Sequence, residues 1–114
     1  RALLITNGIA AVQRPRFSSS PLLKYLSGFV ISEEVGAAKP APEIFEAAFA
    51  KMGRPDRNEV LMIGDSLTSD IKGGNDFGID TCWFNPAGMP PDPEIKPTYE
   101  ITNLRELLSI TDLE

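Results

Sequence analysis

The chain contains no histidine, which excludes a Ser-His-Asp triad, a Cys-His pair and a histidine-ligated zinc site together. Its single cysteine, Cys82, cannot close an internal disulfide. With no signal peptide ahead of the first apolar run, a reducing cytoplasmic setting is the expectation. No apolar run approaches the ~20 residues that a membrane helix needs, so no membrane partner is expected. Basic residues are outnumbered, 11 against 16, for a net charge of -5. A surface built on a nucleic-acid backbone carries the opposite excess, so a nucleic-acid polymer is not the expected partner and any anionic substrate must be met by a local feature. Carboxylates, hydroxyls and lysine are what remain for chemistry.

At 114 residues, with 42% apolar and 24% charged residues, the composition is that of a globular protein with one hydrophobic core. Arg1 stands directly before an apolar run, with neither an initiator Met nor a polar lead-in. The expectation is that 1–114 is a portion of a longer chain.

Short apolar runs at 2–5, 28–31, 60–63 and 81–84, with a weaker one at 99–101, each end in polar or small residues and alternate with helical patterns. That alternation predicts an α/β fold, a parallel sheet covered by crossover helices. Ser20 and Pro21 start a short helix with Leu22, Leu23 and Leu26 on one face. A longer helix is predicted over about 42–52, with Ile44, Phe45, Ala48 and Phe49 at helical spacing and Gly53 as its stop. A third begins near Thr68 or Ser69 and ends at Gly78, and a last one covers about 103–109. Five prolines between Asn85 and Pro97 predict an extended surface loop.

Three strand-end features carry chemistry. Gly64-Asp65-Ser66-Leu67-Thr68-Ser69-Asp70 lies between an apolar strand and a helix start, where ligands bind in parallel sheets. Its two acids suit Mg²⁺, a hard cation that takes one or two carboxylates and fills its other positions with water and phosphate. Asp65 as a turn residue and Asp70 as a helix-start acid is the plainer alternative. Thr6 and Asn7, followed by Gly8, offer a hydroxyl and a backbone N–H to a phosphate oxygen, or else form only a capped turn. Lys39, in Gly36-Ala37-Ala38-Lys39-Pro40, places one ammonium among small residues, able to neutralise phosphate and hold an acid ionised. Singly, such a lysine is solvated surface. In company, each on its own βα connection, the three outweigh their separate plain readings.

At these residues the sequence resembles the haloacid dehalogenase (HAD) superfamily. Thr6 matches its second motif, Lys39 its third, and Gly64, Asp65 and Asp70 its fourth. The wording from Ile5 to Gly8 and from Ile31 to Pro40 is similar to the nucleotide 5'-monophosphatase branch. The resemblance runs from Leu3 to about Leu108. It implies a Mg²⁺-dependent phosphomonoester hydrolase acting on nucleotide 5'-monophosphates or similar small phosphates. Thr6 and Asn7 would then bind the phosphoryl group, and Lys39 would stabilise its charge. Asp65 would ligate Mg²⁺, and Asp70 would hold a metal-bound water or orient the site.

The resemblance also implies a Rossmann-like three-layer α/β/α core of strand order 3-2-1-4-5. Here that core lacks its central first strand, its Asp-x-Asp nucleophile motif and its cap, so 1–114 is the C-terminal portion of one core domain. One partial match to the missing motif, Asp92-Pro93-Glu94, lies in the proline loop. Removing one strand leaves a gap of roughly 10 Å between its neighbours, so a partner is expected: another segment of the same protein, or a second copy. The chain alone is expected to be inactive. Two rivals remain: a non-catalytic α/β module that binds a metal or partner through the same face, and a response-regulator receiver. The receiver fails on motif order, because here the lysine precedes the acid pair. Trp83, Phe84 and Cys82 read as a buried apolar strand rather than a ligand site.

Overall fold

Among the described residues, every pairing between strands is parallel. The computed structural model describes residues 3–6 and 28–106, in two compact units, Arg1–Asp56 and Arg57–Glu114. Asn7, the helix expected after Ser20 and the end of the last expected helix lie outside the described residues.

In the first unit, β1 (Leu3–Thr6) pairs with β2 (Gly28–Ile31), Thr6 opposite Ile31. Val30 and Ile31 are buried. After β2 comes α1 (Ser32–Val35), a single turn closed by Gly36 at φ 83° with its N–H on the Ser32 carbonyl. Glycine is the residue that accepts that left-handed geometry without a Cβ clash. Next comes α2 (Pro42–Lys51), with proline at its first position, where no N–H is needed. Ile44, Phe45, Ala48 and Phe49 are all buried, as the helical spacing predicts. This face packs on β1 and β2, and each large side chain contributes about 1.5–3 kcal/mol through apolar burial.

In the second unit, β3 (Leu61–Gly64), β4 (Asp80–Phe84) and β5 (Tyr99–Ile101) form a sheet in that order, with β3 and β5 at its edges. Ile71, Phe77, Ile79, Cys82, Trp83 and Ile101 make its core. Burial pushes the Cys82 thiol up, with Glu106 adding to the shift, so Cys82 stays a protonated packing residue. The connection from β3 to β4 is a π-helical turn, Leu67–Ile71, continuing into α3 (Lys72–Phe77). An ordinary helix start was expected near Thr68. The turn widens because the Ser66 carbonyl accepts from both Asp70 N (2.9 Å) and Ile71 N (3.2 Å), a device common at functional sites.

The return from the proline loop is fixed by polar contacts. Buried Thr81 donates through Oγ1 to Asn75 Oδ1 (2.9 Å), exchanges hydrogen bonds with Thr98, and Asn75 Nδ2 donates to the Lys96 carbonyl. At the start of the last expected helix, Leu104–Glu106 forms a 3-10 turn.

Helix α3 lies close on the sheet at Gly74, where a Cβ would stand 2.6 Å from Thr81 Cγ2 and 3.1 Å from Met62 Cβ. Gly→Ala in an exposed helix would gain up to about 1 kcal/mol of helix propensity. At this position overpacking of about 1–3 kcal/mol decides the sign. Gly74→Ala is therefore expected to lower the thermal midpoint, and an unchanged or raised midpoint would show that the helix yields instead.

Candidate active site

The acid loop is built from the strand end outward. Gly64 closes β3, and Asp65 follows with its side chain exposed. Ser66 caps the helical segment, its Oγ accepting from Ser69 N at 3.2 Å. The wide turn then swings Asp70 back over the strand end, where it is only 5% exposed. Its Oδ2 accepts from Ser66 N at 3.2 Å. A Cβ at Gly64 would run into the Asp70 carboxylate. The glycine is thus required by close approach, and the two acids belong to one loop as the spacing predicts.

From the neighbouring strand, Trp83 stands opposite Gly64 in the parallel register. Its indole Nε1 donates to the Asp65 carbonyl at 3.0 Å. Sequence reading took Trp83 as packing alone. It is buried, as expected, but it also holds the acid loop. Only strand register places its N–H there, and no motif spacing signals it.

In the other unit, Thr6 is the last residue of β1. Lys39 is half-buried and its Nζ donates to the Ile5 carbonyl at 3.2 Å. That contact carries a loop cation 34 positions along the chain to the carboxyl end of β1, one residue before Thr6. The Lys39–Pro40 peptide is cis.

Asp92, from a partial match to the missing motif, forms a surface turn. Its Oδ1 accepts from Glu94 N at 2.9 Å, and it bridges Ile95. It is no strand-end nucleophile.

Among the described residues no three acids or cysteines converge as a metal cluster. The acid loop therefore offers two carboxylates, one exposed and one partly committed to backbone. That pair fits Mg²⁺, which keeps several waters and one or two carboxylates. No helix among the described residues is long and apolar enough to cross a membrane.

Comparison with known proteins bears on the fold and the family. Pyrimidine 5'-nucleotidase YjjG of Escherichia coli is 45% identical over 104 residues, 91% of this chain and 46% of its own length. Pyrimidine 5'-nucleotidase PynA of Streptococcus pneumoniae is 40% identical over 107 residues, 94% of this chain and 45% of its own length. The magnesium-bound crystal structure of YfnB from Bacillus subtilis, designated an HAD-hydrolase, superposes with a TM-score of 0.91 at 42% identity, covering 97% of this chain and 49% of that one. The chain thus spans about half the length of the relatives it matches. The HAD-hydrolase-like family model matches residues 36–107, a stretch holding Lys39, Asp65 and Asp70 and the whole β3–β5 sheet. By motif, fold and relatives alike, the chain belongs to the HAD-like hydrolase family.

Proposed function

We propose that this chain supplies the phosphate grip and metal anchor of a Mg²⁺-dependent phosphomonoester hydrolase acting on nucleoside 5'-monophosphates or similar small phosphates. The observation that carries the reading is the 64–70 loop, where exposed Asp65 and buried Asp70 share one strand end. Bound there, Mg²⁺ would polarise the phosphoryl oxygens and neutralise developing charge. Asp65 is its carboxylate ligand, and Asp70 orients the loop. Thr6 and the backbone at Asn7 bind phosphoryl oxygens, and Lys39 offsets their charge. Both units are parts of one core domain in this reading. The nucleophile and general acid come from an Asp-x-Asp segment outside these 114 residues, which also supplies the strand beside β3. A second copy that completes the sheet is the other arrangement. The names of the E. coli and S. pneumoniae relatives support a nucleotide substrate. The lone, buried Cys82 suits a reducing cytoplasm.

A substrate panel tests this. Phosphate release by the whole protein is expected from pyrimidine nucleoside 5'-monophosphates ahead of phosphoserine or a sugar phosphate, and none is expected from the 114-residue chain alone. Turnover by the isolated chain that Asp65→Ala removes would contradict the division of labour. Failure of the whole protein on every phosphomonoester would favour a binding module instead.

A further inference from the structure

We infer that Trp83 is a positioning residue for the metal ligand Asp65, acting through the Asp65–Ser66 peptide; the inference rests on the metal reading above. Two of the contacts already described meet on a single peptide unit. Its carbonyl oxygen, that of Asp65, accepts from Trp83 Nε1 at 3.0 Å. Its N–H, that of Ser66, donates to Asp70 Oδ2 at 3.2 Å. A peptide is rigid and planar, so fixing both of its polar groups fixes the rotation of the plane and with it the backbone from which the Asp65 side chain departs. The exposed Asp65 carboxylate has no hydrogen bond of its own among the contacts described, so its aim depends on that backbone.

Burial alone does not account for this contact. A buried tryptophan needs an acceptor for its N–H, and many carbonyls would serve. Here the acceptor is the first residue beyond the neighbouring strand, reached because Trp83 is in register with Gly64. The indole therefore crosses from β4 to the acid loop and ties the loop to the 3% exposed core position that Trp83 occupies. Outer partners that orient a ligand typically change metal affinity 10- to 100-fold when removed.

The test is Mg²⁺ affinity of the whole protein by calorimetry, alongside its thermal midpoint in chelator. Trp83→Phe keeps a buried ring and removes the N–H. A second variant carries benzothienylalanine at position 83, which keeps the bicyclic shape and puts sulfur in place of the N–H. Both are expected to weaken Mg²⁺ binding by about 10- to 100-fold. Gly74→Ala, which disturbs the same unit without removing the Trp83–Asp65 contact, is expected to leave affinity within about twofold. Affinity within twofold of wild type in the benzothienyl variant would overturn the inference. So would losses that track the thermal midpoint equally in all three variants. A wild-type protein that binds no Mg²⁺ would overturn the metal reading itself, which separates the two failures.

Discussion

Asp65→Asn is expected to lower Mg²⁺-dependent phosphate release by the whole protein about a hundredfold to a thousandfold. The substitution keeps the shape of the side chain and removes its charge. A metal ion contributes several kcal/mol of transition-state charge stabilisation, and each 1.36 kcal/mol is a factor of ten, so losing the anionic ligand costs two to three decades. Stability should barely move, because the Asp65 side chain is exposed and surface changes usually stay within about 0.5 kcal/mol. A large loss of turnover with an unchanged thermal midpoint is the signature. Turnover within a few-fold of wild type would move the metal elsewhere.

Gly64→Ala is expected to damage both function and fold, through Asp70. The added Cβ would occupy the space of the Asp70 carboxylate, so the acid must leave Ser66 N or the turn must open. Overpacking of this kind costs about 1–3 kcal/mol, and Mg²⁺ affinity should fall with it. The pair must couple, since the clash is with one side chain. In an Asp70→Ala background, Gly64→Ala should therefore cost much less stability than in the wild type. Additive costs would place the strain in the backbone and leave Asp70 blameless.

Much of the candidate site's layout could be read from residue order. Asp65 and Asp70 five positions apart after an apolar strand led to one loop, and the structure puts them there. The apolar runs at 28–31 and 81–84 became strands with buried Val30, Ile31, Cys82 and Trp83. The burial of Ile44, Phe45, Ala48 and Phe49 followed from helical period alone.

Other features depend on geometry that periodicity does not encode. The π turn arises from one carbonyl, that of Ser66, taking two donors. The need for glycine at 64 arises from where that turn sends Asp70. Trp83 meets Asp65 through strand register, a relation between residues 18 apart. Lys39 reaches the Ile5 carbonyl across 34 residues, and its position beside a strand end was legible while its partner was not. Short helical turns also escaped: α1 is one turn capped by Gly36, too brief to show a period.

The most direct test is phosphate release from a nucleoside 5'-monophosphate by the whole protein, titrated with Mg²⁺ after complete chelation. Activity should be absent in chelator and return saturably with Mg²⁺. The Asp65→Asn protein should stay near baseline across the same range. Undiminished turnover in chelator, or an Asp65→Asn curve that overlays the wild type, would contradict a metal-anchored phosphatase built on this loop.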